Sequence, residues 1–176
     1  MPFNVPSFGD AGQLFDPFVY LGALAMATDR IALGVSSIIL PLRHPAHVAK
    51  AAASVDVLSD GRLLLGIASG DRPEEYPALG AAYATRGEQF RDAYEYIRRV
   101  GNHSPTFANP LGVVGGGMDL LPKPAGDRLP LLVTGSAQQA PEWIALHGDG
   151  WMTYPRPAQI QAQLVRDFRN QLHTAG

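Results

Sequence analysis

The chain has 176 residues, of which 46% are hydrophobic and 17% are charged, and its formal net charge is -2 at pH 7. That length suffices for one domain with a substantial core, and the near-neutral balance gives no electrostatic attraction to nucleic acid or to acidic membranes. The absence of cysteine excludes disulfides and thiolate metal sites. With no signal-peptide pattern and no apolar run of about 18 residues, we expect a cytoplasmic protein without a membrane span.

The first half of the chain predicts a strand, a helix and a second strand in succession. A helix precedes them over residues 16–28, where Asp is a favourable N-cap and Pro suits the first helical position. Residues 31–39 form an apolar run without alternation, which is typical of a strand covered on both faces. A His-Pro pair begins the helix at residues 44–61, which ends at glycine, and the apolar residues 62–68 follow as the second strand. This order indicates a parallel sheet.

The second half continues the alternation after one irregular segment. From residue 86 apolar side chains recur at helical spacing. Residues 101–127 are rich in Pro and Gly, which predicts an excursion loop with a short hairpin near residues 113–121. The later elements are a strand at 129–134, a short helix at 141–147, a strand at 150–154 and an amphipathic helix at 160–172. Four βα units could form half of an eight-unit barrel or a small doubly wound sheet.

One continuous passage is specific enough to indicate a family. Residues 31–70 read IALGVSSIILPLRHPAHVAKAAASVDVLSDGRLLLGIASG, and they resemble the strand-LPxRHP-helix-LSxGR-strand passage of the luciferase-like flavin-dependent monooxygenases. The similarity runs from about Phe8 to Arg156 and includes DLLPKP and the segment from LLVTGS to EWIALHGDGW. It implies an α/β fold that is a partial (β/α)8 TIM barrel of about four βα units. Residues 1–176 would then form a single truncated domain.

The resemblance also implies a function. Members of the family use reduced flavin mononucleotide (FMN) and oxygen to oxidise small organic substrates, with NAD(P)H as the electron source through a separate flavin reductase. A deazaflavin-dependent branch transfers hydride instead. The alternative is a non-catalytic flavin-binding protein or an inactive truncated fragment, because the first two strands of the family barrel are missing and no catalytic residue can be carried over. A half barrel would expose an apolar sheet edge, so we expect a homo-oligomer.

Two serines lie near the carboxyl end of the first predicted strand. Ser36 and Ser37 occupy the end of the strand at which barrel enzymes place their chemistry. The resemblance implies that the two are joined by a non-prolyl cis peptide that supports the flavin ring. The alternative is a pair of hydroxyl groups bonded to nearby backbone.

A third serine directly follows the second predicted strand. Ser69 stands where bacterial luciferase has an arginine that contacts the flavin phosphate, so the resemblance places Ser69 in the cofactor site. Arg72, three residues further on, is a candidate replacement for the missing charge. The alternative is an ordinary βα loop.

The third and fourth predicted strands are followed or occupied by further candidates for cofactor binding. Gly135 and Ser136 lead into a helix, whose free N–H groups would attract a phosphate. The resemblance places Ser136 on the phosphate-contacting serine of the family and Gln139 on a threonine. Trp151 could flank a flavin. The structural alternatives are a serine N-cap and, for the tryptophan, core packing.

Other polar residues predict structural roles. His44 precedes the proline that begins a helix, which favours capping over catalysis. Asp56 could be buried and paired with Arg62. The remaining histidines share no metal-ligand spacing with acidic residues, so no metal site is predicted.

Overall fold

A computed structural model describes residues 14–175 as alternating helices and strands. The helices are α1 (Pro17–Ala27), α2 (Pro45–Leu58), α3 (Glu75–Ala78), α4 (Arg86–Val100), α5 (Pro141–His147) and α6 (Ala158–Ala175). The strands are β1 (Leu33–Ile39), β2 (Leu63–Ala68), β3 (Phe107–Asn109), β4 (Gly112–Val114), β5 (Leu131–Thr134) and β6 (Gly150–Met152). None of the described helices has the length and apolar character required to cross a bilayer.

Four of the strands form one sheet. Their order is β1, β2, β5, β6, and every neighbouring pair is parallel, which confirms the predicted α/β fold with a parallel sheet. β3 and β4 form a separate antiparallel hairpin, so the predicted hairpin position at residues 113–121 is wrong. The reason is local, because Asn109 Oδ1 accepts a hydrogen bond from the N–H of Leu111 at 2.9 Å and closes an Asx turn earlier in the chain.

Two predicted helix starts are capped by the expected side chains. Asp16 Oδ1 accepts a hydrogen bond from the N–H of Phe18 at 3.0 Å, and His44 Nδ1 accepts one from the N–H of Ala46 at 3.3 Å. His44 Nε2 also lies 3.2 Å from the carbonyl oxygen of Leu111. Both ring nitrogens therefore have structural partners, and the prediction that His44 caps α2 is confirmed.

The core lies between the sheet and the helices on one of its faces. The side chains that alternate along β2 and β5 toward those helices are at most 1% exposed, namely Leu63, Leu65, Ile67, Leu131 and Val133. On the opposite face Gly34 and Ser36 are exposed, and Leu64 is 41% exposed. The prediction that the strand at residues 31–39 is covered on both faces is therefore wrong for the described part of the chain, because its second face borders the open side of the sheet.

The predicted ion pair between Asp56 and Arg62 is also wrong. The Arg62 guanidinium donates to the carbonyl oxygens of Ala25 and Thr28 at 3.0 and 2.7 Å, where the last turn of α1 leaves carbonyls without helical partners. Asp56 is only 3% exposed and accepts a hydrogen bond from the N–H of Ala125 at 2.8 Å. Its carboxylate therefore attaches the excursion loop to α2.

Candidate functional site

The carboxyl ends of the four parallel strands surround a cavity of about 470 Å³. Parallel strands of one sheet end at the same edge, so the loops that follow them converge there. Each of the four strand ends contributes to the lining: Ser36, Ser37 and Ile39 within β1, and the last strand residue with the loop that follows it at residues 68–71 for β2, residues 134–138 for β5 and residues 152–155 for β6. The fold thus brings together segments that are far apart in the sequence.

Most of the predicted cofactor-binding residues line this cavity. They are Ser36, Ser37, Ser69, Gly135 and Ser136. Gln139 and Trp151 are not part of the lining, and their side-chain N–H groups donate to backbone carbonyl oxygens behind it. Contact of the lining residues with a flavin stays a prediction.

The serine pair lies at an irregular point of β1. The register between β1 and β2 shifts across the pair. The peptide bond between Ser36 and Ser37 is trans, since the cis peptide bond of the described residues joins Leu121 and Pro122. The cis geometry implied by the family resemblance is therefore not observed. Instead the hydroxyl group of Thr134 donates to the carbonyl oxygen of Ser36, which links the end of β1 to β5 in the trans geometry.

A glycine in β2 permits this irregularity. A Cβ added at Gly66 would lie 2.2 Å from the carbonyl oxygen of Ser36, a separation that no side chain tolerates. The β1 backbone therefore occupies the space where other residues would carry a side chain. Gly66 thus permits the close approach of β2 to β1 at Ser36, which lines the cavity.

A buried tyrosine supports the loop after β2 through a hydrogen bond to its backbone. The Tyr76 hydroxyl donates to the carbonyl oxygen of Ser69, and both side chains are buried. Burial raises the pKa of Tyr76 from 10.0 to about 12. Gly70 has a φ of +81°, and a Cβ there would lie 2.8 Å from Ile39 Cγ2. The loop can follow this path only with glycine at that position.

Little formal charge lines the cavity. Asp71 is the one side chain charged at neutral pH among the described lining residues. Arg72 is not part of the lining, so the structure does not support its predicted role as a replacement for the arginine of bacterial luciferase. The lining donors that could meet an anion are uncharged.

The turn after β5 has an unusual backbone. The φ angle is +62° at Gly135, +46° at Ala137 and +61° at Gln138, in the left-handed region that residues other than glycine rarely adopt. Within residues 14–175 the N–H groups of Ser136 and Ala137 donate to no protein acceptor. Successive N–H groups left free by such a turn form a concave binding site for anions.

Ser136 stabilises this turn rather than the following helix. Its Oγ accepts a hydrogen bond from the N–H of Gln138 at 3.2 Å, and its carbonyl oxygen accepts one from the N–H of Gln139 at 2.8 Å. The N-cap of α5 is Ala140. The alternative of a serine N-cap is therefore wrong, because the turn is complete before the helix begins.

Several further lining residues were not predicted from the sequence, and some of them have polar side chains. Thr134, Gln138 and Tyr154 all border the cavity. Thr134 and Tyr154 are the last residues of the predicted third and fourth strands, so their strand-end position was the available signal. No comparable signal identifies Gln138, because its place in the lining depends on the left-handed turn.

Comparison with known proteins relates this chain to a family. The family model described as luciferase-like monooxygenase matches residues 4–176. An uncharacterized protein of Mycobacterium tuberculosis is 32% identical over 174 residues, which cover 93% of this chain and 61% of the relative. The alkanal monooxygenase beta chain of Photorhabdus luminescens is 29% identical over 90 residues, which cover 51% of this chain and 28% of the relative. The chain thus spans less than two thirds of these relatives.

Solved structures share the fold. The monooxygenase RslO1 from Streptomyces bottropensis has a TM-score of 0.82 at 25% identity, with 92% of this chain and 50% of that chain covered. The oxygenating constituent of 3,6-diketocamphane monooxygenase from Pseudomonas putida, solved in complex with FMN, has a TM-score of 0.78 at 18% identity, with 95% and 51% covered. An F420-dependent secondary alcohol dehydrogenase has a TM-score of 0.77 at 22% identity, with 93% and 51% covered. The chain spans about half the length of each.

Proposed function

The chain belongs to the luciferase-like monooxygenase family, and from that premise we propose that it functions as a flavin-dependent oxidoreductase of the monooxygenase type. FMN would bind in the cavity at the strand ends, beside a small organic substrate of unidentified structure. The observation that carries the proposal is the convergence of four strand-end loops on one cavity whose β5 turn offers free N–H groups. The four parallel strands would be part of a (β/α)8 barrel.

The cavity suits FMN in size and in its hydrogen-bond donors. Its volume of about 470 Å³ lies within the range of about 300–1,000 Å³ typical of ligand sites. The N–H groups of Ser136 and Ala137 form one donor cluster with the Ser136 hydroxyl, whose oxygen accepts from the Gln138 N–H while its proton stays available to donate. This donor set matches the oxygens of a phosphate group.

Each wall of the cavity would have its own role. The residues 135–138 would bind and orient the phosphate, and Ser36 with Ser37 would border the ring system. Tyr76 would keep the Ser69 loop in place through its hydrogen bond to the Ser69 carbonyl oxygen. Reduced flavin, when bound, would supply the electrons that activate oxygen toward the substrate. Because the described lining carries no cationic side chain, we expect FMN binding in the micromolar range.

The test has a binding arm and a turnover arm. The purified chain is titrated with FMN and followed by flavin fluorescence, and oxygen uptake is then measured with NAD(P)H, a separate flavin reductase and a panel of small organic compounds. We expect saturable binding and substrate-dependent oxygen uptake. Ser136→Ala should weaken FMN binding about tenfold through the lost hydrogen bond, whereas Ser54→Ala on α2, remote from the cavity, should not. No FMN binding at high micromolar concentration would end the proposal.

A deazaflavin is the alternative cofactor. The F420-dependent alcohol dehydrogenase shares the fold of this chain at a TM-score of 0.77, which supports a site able to take either ring system. Parallel titrations with FMN and a deazaflavin decide between them. If only the deazaflavin bound tightly, the proposed reaction would be hydride transfer and not oxygen activation. No separate flavin reductase would then be required as the source of electrons.

A second candidate function is flavin binding without turnover. It is favoured by the lining, which among the described residues includes Asp71 and Tyr154 but no histidine or lysine that could serve as a proton-transfer group near neutral pH. This candidate, which includes an inactive fragment of a larger enzyme, predicts saturable FMN binding with no substrate-dependent oxygen uptake. Oxidation of a substrate by the purified chain would contradict it.

A further inference from the structure

Gln139 and Trp151 both bond to the turn that lines the cavity, although neither lines it. The Trp151 indole N–H donates to the carbonyl oxygen of Gly135 at 2.6 Å. The Gln139 side-chain amide donates to the carbonyl oxygen of Ala137 at 3.0 Å and to that of Gly87 at 2.9 Å. The turn is therefore restrained from two sides, by β6 through the indole and by the start of α4 through the amide.

Restraint of the carbonyl groups sets the direction of the N–H groups. The peptide bonds of this turn are trans, and in a trans peptide the C=O and the following N–H lie on opposite edges of the plane. The Gly135 carbonyl bonds to Trp151, which directs the N–H of Ser136 the other way. The N–H of Ser136 is thus turned away from the indole behind the lining. The Ser136 carbonyl accepts a hydrogen bond from the backbone N–H of Gln139, which directs the N–H of Ala137 away from that bond. The Gln139 side-chain amide bonds to the Ala137 carbonyl, and it thereby orients the following N–H, that of Gln138, which donates to Ser136 Oγ.

The backbone of the turn needs this support. Ala137 and Gln138 both have positive φ angles, a conformation that is unfavourable unless the surroundings impose it. The start of α4 lies directly against the turn, since a Cβ added at Gly87 would come within 2.8 Å of Gln138 Cβ. On the β6 side, the Trp151 ring packs on Phe168 with 4.6 Å between centroids. Both anchors are held by helices outside the cavity.

We propose that Gln139 and Trp151 are positioning residues, which orient the donors of this turn toward the cofactor phosphate without contacting the cofactor themselves. Trp151 acts on the Ser136 N–H through the Gly135 carbonyl. Gln139 acts on the Ser136 hydroxyl through the peptide that follows Ala137. This inference rests on the proposed function. It assigns both residues a different role from the direct flavin contact predicted from the sequence. Both side chains act through the backbone carbonyl groups to which they donate hydrogen bonds.

Comparison of two flavins tests the role, because riboflavin has the same ring system as FMN and lacks the phosphate. Gln139→Met removes the amide donor at similar volume, and Trp151→Phe removes the indole donor while keeping an aromatic ring against Phe168. Each variant should raise the dissociation constant for FMN about tenfold, the effect of one lost hydrogen bond. The dissociation constant for riboflavin should change less than about twofold, since the ring contacts remain.

Two matched variants serve as controls. Gln89 also donates its amide to a backbone carbonyl, that of Ala82 at 2.9 Å, and Trp143 packs against Phe90 and Tyr94. Neither lines the cavity, so Gln89→Met and Trp143→Phe should leave the ratio of the two dissociation constants unchanged. Gly87→Ala is a further test for the case in which Gln139→Met or Trp151→Phe does not fold. It removes no hydrogen-bonding group of the turn, but its added methyl group would press against Gln138. It should show the same selective loss of FMN affinity.

Every other outcome counts against the inference. Equal losses for FMN and riboflavin would indicate a general structural role, and a larger loss for riboflavin would indicate direct contact with the ring. Unchanged FMN affinity in the variants of a wild-type chain that binds FMN would overturn this inference alone. Absence of FMN binding by the wild-type chain would overturn the proposed function and this inference with it.

Discussion

Tyr76 supports the candidate site from a position where solvent does not reach it. Its hydroxyl donates to the Ser69 carbonyl oxygen, and its ring meets that of Tyr83 edge-on with 5.1 Å between centroids. The Arg86 guanidinium lies 3.8 Å from the centroid of the Tyr83 ring. The loop that lines the cavity is therefore supported by Tyr76, Tyr83 and Arg86, none of which lines the cavity itself.

The raised pKa of Tyr76 predicts a loss of stability in alkaline solution. Burial favours the neutral hydroxyl and raises its pKa from 10.0 to about 12. The stabilisation is therefore complete below pH 10 and is lost as pH rises toward 12, by up to about 1.4 kcal/mol of unfolding free energy per pH unit. Tyr76→Phe cannot ionise, so the difference in unfolding free energy between wild type and this variant should shrink over that range. Urea unfolding at pH 8, 10 and 11 measures it.

The control for this prediction is the exposed Tyr20, whose side chain is 53% accessible. The difference between wild type and Tyr20→Phe should stay constant across the same pH values. An equally constant difference for Tyr76→Phe would contradict the prediction, because the hydroxyl would then ionise at the same pH in the folded and unfolded chains.

At the scale of elements, the excursion between α4 and β5 is held by a single buried carboxylate near its end. Asp56 lies in the last turns of α2, is 3% exposed and accepts the N–H of Ala125 at 2.8 Å. Nearby, the Lys50 ammonium donates to the carbonyl oxygen of Leu121. The irregular segment is thus attached to α2 by polar contacts near its end, while closer to its start Asn109 Nδ2 donates to the carbonyl oxygen of Asp92 in α4 at 2.9 Å.

Removal of this carboxylate should release the excursion. We expect Asp56→Ala to lower the unfolding free energy by about 1–3 kcal/mol, because the Ala125 N–H loses its acceptor. Amide hydrogen exchange should accelerate mainly over residues 101–127, while β1 and β2 keep their protection. Asp56→Asn should retain most of the stability, since the amide oxygen can accept the same hydrogen bond.

The exposed Asp127 in the same excursion provides the comparison. Asp127→Ala should change the unfolding free energy by less than about 0.5 kcal/mol. If Asp56→Ala proved as stable as Asp127→Ala, or if exchange accelerated evenly along the chain, the carboxylate would not be the anchor of the excursion.

For the whole molecule, the sheet has two unpaired edges and one open face in the described residues. β1 pairs only with β2, and β6 pairs only with β5. Leu64 on the open face is 41% exposed, and Val19 and Met26 on the outer side of α1 are 70% and 73% exposed. Open edges and exposed apolar groups of this kind promote association between chains.

We therefore expect the purified chain to self-associate. Light scattering should give a mass of at least two copies of the 18.8 kDa chain. Leu64→Glu should reduce that mass by placing a charge on the open face of the sheet. Val113→Glu, on the hairpin and 75% exposed, should leave the mass unchanged. A monomer in the wild-type sample would contradict the prediction, and an unchanged mass for Leu64→Glu would assign association to another surface.

The sequence by itself determined the order of the elements and the family. Caps such as Asp16 and His44 and the apolar runs of β1 and β2 act within a few residues, so they can be interpreted without knowledge of the fold. The family resemblance placed Ser69 and Ser136 in the cofactor site, and the strand-end position pointed to Ser36, because the ends of parallel strands meet at one edge of the sheet whatever the details of the loops.

The tertiary structure decided which side chains reach the cavity and which support it. Gln139 and Trp151 lie behind the lining, where they bond to the left-handed turn that begins at Gly135, and the direction of a peptide group in such a turn depends on partners from β6 and α4. The hydrogen bond between Asp56 and the N–H of Ala125 spans 69 positions. No local pattern records such a contact, since its free energy arises only when distant segments are packed together.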